Sequence, residues 1–228
     1  VTPELVDKVK PDAVVLAVGG APSPLDVPGS SSDIVLDRGD VQAVFSGHAM
    51  RKGGLSKRAV SYLAALSVKL FYSPSVIRWL LRFNFPFGKR VVVVGGNYAG
   101  CELGETLAER GKEVTIVEES KRLGTDIEIT HRWVFLKKLK EAGAKMFREA
   151  KVTEITDKGV KISYSGSTEF IEADTVVKVG ISPDIRLPQE FKGKAPELYL
   201  VGDCSEPGKL LEAMASGKPV VATSVGGI

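Results

Sequence analysis

Short apolar runs and longer amphipathic stretches alternate along this chain, with glycine or proline at most junctions. Arg90–Val94 (RVVVV) carries no polar alternation, which predicts a strand covered on both faces. Helical spacing follows and predicts a helix over Ala99–Arg110, stopped by Gly111. A strand at Glu113–Val117, a second helix at Thr130–Ala142 ended by Gly143, and a strand at Lys145–Phe147 complete this pattern. Residues 151–172 instead alternate with period two around turns at Asp157–Gly159 and Ser165–Ser167, predicting antiparallel hairpins. "ADTVVKVGISPD" and "ELYLVGDCSEPGK" predict two more strands, the latter at Leu198–Val201. Upstream, Thr2 as N-cap and Pro3 at the first helical position predict a helix within residues 1–10. A buried strand at Val14–Val18 then breaks at Gly19-Gly20. In "SPSVIRWLLRF", Ser73 and Pro74 open a helix whose Val76, Ile77, Leu80 and Leu81 oppose Arg78 and Arg82. Such a helix packs on its own domain, or lies on a membrane surface or a partner.

Strands alternating with helices point to an α/β fold with a Rossmann-like parallel sheet. Composition adds mainly exclusions. A net charge of +3 is too small to argue for nucleic acid. Two cysteines, Cys101 and Cys204, make neither a disulfide framework nor a four-thiolate site, and they are not spaced as a CxxC pair. Two histidines, His48 and His131, do not suggest a histidine metal site. The absence of a membrane-length apolar run or a signal-peptide layout makes a cytoplasmic setting the expectation.

The chemistry concentrates in "VVVVGGNYAGCELGE". Gly95 lets the chain turn sharply off its strand, and Gly96 adds slack. Gly100 lets the following helix pack against the strand, so that its first amides and positive dipole end face a phosphate. Asn97 stands where a dinucleotide fingerprint has its second glycine. Asparagine tolerates positive φ, but its side chain crowds the diphosphate path, so a weakened site is expected. Glu118 ends the next strand, 18 residues beyond Gly100, where an acid accepts hydrogen bonds from the adenosine ribose. Glu118 and Glu119 should repel a 2′-phosphate and favour NADH over NADPH, against the nearby Lys121 and Arg122. The bland alternative is a βαβ unit that binds no nucleotide.

Taken in order, "VVLAVGGAPSPLDVPG", "VVVVGGNYAGCELGE", "EVTIVEES", "ADTVVKVG" and "LYLVGDCSEP" resemble the two-dinucleotide-binding-domain flavoproteins. Within these, the chain is most similar to the FAD/NAD-binding part of NADH:flavin oxidoreductases of the 2,4-dienoyl-CoA reductase and trimethylamine dehydrogenase kind. The resemblance implies that an NAD-binding domain is inserted in an FAD-binding one. Residues 89–196 would bind NADH, residues 1–55 and 197–228 would form a partial FAD-binding domain, and residues 56–88 a helical linker. It places Gly95, Gly96, Asn97, Tyr98, Ala99, Gly100, Glu102, Glu118, Glu119 and Gly180 on the nicotinamide nucleotide. Tyr98 would cover the nicotinamide pocket and Glu102 would face the ring. Gly19, Gly20, Gly202 and Asp203 would lie on the flavin, with Asp203 holding the ribityl chain.

The glycine fingerprint that opens an FAD domain does not occur in this sequence, nor does the family's barrel with FMN and iron–sulfur cysteines. FAD is therefore expected to bind weakly or not at all unless a partner chain or domain completes the site. The expected function is that of a fragment or truncated subunit of an NADH-dependent flavin oxidoreductase, in which NADH passes hydride to a flavin and no side chain is catalytic. A non-enzymatic Rossmann nucleotide-binding module is the alternative. A third reading arises because "PGKLLEAMASGKPVVATSVGGI" resembles the donor-sugar motif of two-lobed glycosyltransferases, with Glu212 as its glutamate.

Overall fold

The computed structural model describes residues 2–37, 39, 40, 48, 62, 87–183, 186–208 and 211–217. The chain divides into two compact units, one of Leu25–Gly180 and one joining Val1–Pro24 to Ile181–Ile228. The expected helix at 73–83 lies outside the described residues. Elements below are numbered in chain order.

The central unit is built on a five-stranded parallel sheet. Its strands are β3 (Val35–Asp37), β4 (Arg90–Val94), β5 (Glu113–Val117), β6 (Lys145–Phe147) and β10 (Thr175–Lys178), in the order β3-β10-β4-β5-β6. Val91 and Val93 face one side of it and Val92 the other, and all three are at most 1% exposed. Each such side chain contributes roughly 1.5–3 kcal/mol through burial. On the first side lie α2 (Tyr98–Glu109) and α3 (Ile129–Glu141), whose Cys101, Leu107 and Leu139 join Val91, Val93 and Ile116 in one core. On the second side an antiparallel three-stranded sheet, β7 (Ala150–Thr156), β8 (Gly159–Tyr164) and β9 (Ser167–Glu172), sets Val152, Val160 and Ile162 against Val92, Val117 and Val176. Coverage on both faces is why these strands read as unbroken valine runs. At the N-terminal ends of the strands, Asp174 accepts from the Arg90 amide at 2.8 Å and from its guanidinium at 2.6 Å. The Arg90 hydrogen bond holds the Asp174 carboxyl below its usual range.

The second unit contains α1 (Pro3–Val9), capped by Thr2, and a two-stranded parallel sheet of β1 (Ala13–Leu16) and β12 (Glu197–Leu200). β2 (Ala21–Pro22) pairs antiparallel with β11 (Ile181–Ser182), while α4 (Arg186–Phe191) adds Phe191 to a small core with Val6 and Leu16. The sequence predicts a strand at Val14–Val18 buried on both faces. The observed strand is shorter, Val15 and Val18 are 48% and 51% exposed, and among the described residues β1 has β12 as its one partner.

The unit boundaries differ from the expected grouping of residues 1–55 and 89–196. Residues 25–37 join the central unit because Val35–Asp37 pair with Val176–Lys178, and Ile181 leaves it because β11 pairs with β2. Both pairings join residues far apart in the chain, and no local pattern reports them.

Candidate nucleotide-binding site

The site is the turn between β4 and α2, at the C-terminal edge of the parallel sheet. Gly95 has φ +110°, a value that side-chain-bearing residues rarely adopt. Gly100 is required for another reason: a Cβ there would lie 2.0 Å from the Gly95 carbonyl oxygen and 3.1 Å from Val179 Cγ2. The helix therefore starts in backbone contact with the turn. One residue before Gly180, Val179 donates its amide to the Val94 carbonyl at 3.2 Å and forms the floor beneath Gly95 and Gly100.

Asn97 needs no positive φ. Its backbone is extended (φ −72°, ψ −178°), and its side chain is the N-cap of α2, with Oδ1 accepting from the Gly100 amide at 2.9 Å. This corrects the expectation of a side chain standing in the diphosphate path: Asn97 folds back onto its own helix and satisfies one of the donors that a helix start leaves open.

The loop after β5 wraps the same turn. Glu118 Oε2 accepts from the Gly96 amide at 2.5 Å, and Oε1 accepts from the Ser120 amide at 2.8 Å. The Gly124 amide donates to the Gly96 carbonyl at 2.6 Å. Asp126 accepts the Tyr98 amide on both carboxylate oxygens, at 2.8 and 2.9 Å. Asp126 and the packing partners Leu123 and Val179 are the site residues that sequence reasoning missed. They meet the turn across 27 or more positions, and the residues themselves carry no motif.

The structure thus brings together Gly95, Gly96, Asn97, Tyr98, Ala99, Gly100, Glu102 and Glu118. Tyr98 is 43% exposed, stacks edge-on against Phe135 with ring centroids 5.7 Å apart, and its hydroxyl lies 3.4 Å from Glu102 Oε1. Glu119 is exposed, and the turn's amides at Gly96, Tyr98 and Gly100 bond to Glu118, Asp126 and Asn97 instead. Within the same unit a cavity of about 440 Å³ begins at Arg122 and Leu123 and continues along Arg132, Lys140 and Arg148. Among the described residues its lining contains no carboxylate.

In the second unit, a Cβ on Gly20 would meet the Ser182 carbonyl oxygen at 2.9 Å and Asp203 Cβ at 3.5 Å, so Gly20 and Asp203 are neighbours. Gly19 and Gly202 both take positive φ, +77° and +73°. The Gly202 amide donates to Ser216 Oγ at 2.9 Å, and Asp203 Oδ1 accepts from the Gly208 amide at 3.1 Å. These contacts set a close-packed glycine beside a carboxylate.

Cys101 is buried and directs its thiol at the Gly96 carbonyl, 3.5 Å away, while Cys204 donates to the Leu16 carbonyl at 3.0 Å. Burial first, then the Asp126 and Glu118 charges, push the Cys101 thiol up to about 12 from an ordinary 9.0. A raised folded-state value stabilises the fold below about pH 9, and this contribution is lost as pH rises towards 12. The denaturation midpoint should therefore fall more between pH 8 and about pH 10 in the wild type than in Cys101→Ala. Neither thiol should react with an aromatic disulfide reagent until denaturant is added. Equal pH slopes, or a thiol that titrates rapidly in the native protein, would contradict this placement.

Among the described residues no group of three or more His, Cys, Asp or Glu side chains could hold a metal ion. No helix among them is long and apolar enough to cross a membrane. His131 Nδ1 lies 3.1 Å from Glu128 at the exposed start of α3, away from the turn.

A profile of the pyridine nucleotide-disulphide oxidoreductase family matches residues 2–217. NADH oxidase of Thermoanaerobacter brockii is 33% identical over 139 residues, covering 60% of this chain and 21% of that protein. Dihydrolipoyl dehydrogenase of Staphylococcus aureus is 41% identical over 122 residues, covering 44% of this chain and 26% of that protein. The chain therefore spans about a quarter of the length of these relatives. A 2-naphthoyl-CoA reductase structure superimposes with a TM-score of 0.69 at 28% identity, over 95% of this chain and 27% of that one. Histamine dehydrogenase from Rhizobium sp. 4-9, at 17% identity and a TM-score of 0.66 over 96% of this chain and 32% of that one, shares the fold. The helical residues 211–217 fall inside the matched span and are tied to the Gly202 turn through Ser216, which places that helix with the oxidoreductase rather than with a sugar-binding lobe. With strand, turn, helix and terminal acid assembled in one unit, the match over residues 2–217 makes this chain a member of the pyridine nucleotide-disulphide oxidoreductase family, flavoproteins that bind FAD and use NAD(P)H.

Proposed function

We propose that the central unit is an NADH-binding domain and that the second unit, through Gly19, Gly20, Gly202 and Asp203, contributes to an FAD-binding domain of a flavin oxidoreductase. The observation that carries this reading is the contact at Gly100, where α2 starts against the backbone of the turn. That geometry brings the first helical amides and the positive end of the helix dipole to the edge of the sheet, where a diphosphate is stabilised. The reduced nicotinamide, when bound, supplies a hydride and the flavin accepts it. This chain's residues bind and orient: the turn faces the diphosphate, and Glu118 keeps lone pairs beyond its two amide bonds for ribose hydroxyls. Tyr98 and Glu102, joined on the first turn of α2, stand at the nicotinamide end. The names of the relatives, NADH oxidase among them, support redox chemistry over a non-enzymatic module.

One observation favours NADPH as a second reading. Arg122 lies four residues beyond Glu118, and Ser120 links the two through hydrogen bonds with Glu118 and the Arg122 carbonyl. The cationic cavity that begins at Arg122 could take an additional phosphate. Titration of NADH and NADPH into wild type, Glu118→Gln and Arg122→Ala separates the two. We expect tighter NADH binding in the wild type and a preference narrowed by about tenfold in Glu118→Gln, as loss of one charge from the ribose end allows. Tighter NADPH binding that Arg122→Ala selectively weakens would establish the second reading instead.

A further inference from the structure

The turn carries its own anion. Gly96, Tyr98 and Gly100 donate their amides to Glu118, Asp126 and Asn97 respectively, so each of these amides already has a side-chain oxygen as its acceptor. These three side chains differ in how readily they can leave. Asn97 is part of the helix cap, and Glu118 is clamped by two amides at the end of a buried strand. Asp126 is exposed, and among the described residues its carboxylate bonds only to the Tyr98 amide. We infer that Asp126 is a displaceable internal anion, which occupies the diphosphate position at the start of α2 and sets coenzyme affinity because it must leave for the coenzyme to enter. The inference rests on the nucleotide-binding reading above.

A carboxylate whose two oxygens share one amide at a helix N-terminus is favourable in itself, since it satisfies an open donor and complements the dipole. A diphosphate entering the same place gains those interactions only after Asp126 has lost them, and until Asp126 moves the two anions repel. Asp126 therefore stabilises the empty turn and weakens binding, so removing it should move stability and affinity in opposite directions. A purely structural carboxylate would lower both. Burial raises the Cys101 thiol first, and the Asp126 charge adds to it, in keeping with a carboxylate that lies against the helix start.

The test is a calorimetric titration of NADH and of ADP-ribose into the full chain, as wild type, Asp126→Asn, Asp126→Ala and Gly100→Ala, with a thermal melt of each. Asp126→Asn keeps an acceptor for Tyr98, so its Tm should stay close to wild type while NADH binds about three- to tenfold more tightly. Asp126→Ala should show the same gain with a Tm lower by about 2–4 °C. ADP-ribose should follow NADH, because the gain lies at the diphosphate. If both Asp126 variants bind no more tightly than wild type while Gly100→Ala weakens binding at least tenfold, the displacement idea is overturned and the nucleotide site stands. If wild type and every variant fail to bind, the site and the internal anion fall together.

Discussion

Gly100→Ala should lower the stability of this chain by about 2–3 kcal/mol and weaken NADH binding at least tenfold, although it adds a single methyl group. Two effects oppose each other. Alanine in place of glycine within a helix is favourable by about 1 kcal/mol, because it restricts the unfolded chain. Against this, the new Cβ would sit 2.0 Å from the Gly95 carbonyl oxygen, a contact with backbone that no side-chain rotation can relieve. The helix must then lift from the turn by about an ångström or more, which misplaces the amides that face the diphosphate. The clash outweighs the propensity gain. A thermal melt should show a Tm loss of roughly 5–10 °C, and NADH titration well below that Tm should show at least a tenfold loss. Unchanged affinity in a folded variant would mean that the helix start does not bind the coenzyme.

Ile116→Ala should be as destabilising and yet nearly silent for binding. Ile116 is fully buried on β5 and reaches to 2.9 Å from where a Cβ on Gly104 would lie, so α2 settles directly on this side chain. Leu139 of α3 lies beside it in the same core. Truncation leaves a cavity under two helices and should cost about 3–4 kcal/mol. The turn is a full helical turn away, so NADH affinity measured at low temperature should stay within about twofold of wild type. The contrast with Gly100→Ala is informative, because similar losses of stability then accompany opposite binding results. A large binding defect in Ile116→Ala would show that affinity follows global stability rather than the geometry of the turn.

Much of the central unit was legible from residues close together in the chain. The valine run of β4, the glycine stops at Gly111 and Gly143, and the period-two hairpins placed their elements within a residue or two of where they stand. The Gly95–Gly100 turn was legible as well, since its glycines answer to local backbone demands. Asn97 stands out in the sequence as a departure from the glycine pattern, which points to φ rather than to capping. Its position directly before the first residue of α2, with the Gly100 amide three residues on, was the N-cap signal. The pairing of Val35–Asp37 with β10 and the reach of Asp126 to Tyr98 could not be read, because each joins segments whose own sequences specify only a strand and a loop. The exposure of Val15 goes likewise with its strand having one partner among the described residues.

The diphosphate of a nicotinamide coenzyme is proposed to lie on the turn between β4 and α2, and amide chemical-shift mapping of the ¹⁵N-labelled chain during NADH titration tests this residue by residue. The largest shifts should fall on Gly96, Tyr98, Ala99 and Gly100, with Asp126 moving alongside Tyr98, while adenosine alone should leave these amides in place. Saturable binding whose shifts lie elsewhere, with the Gly95–Gly100 amides unmoved, would contradict it.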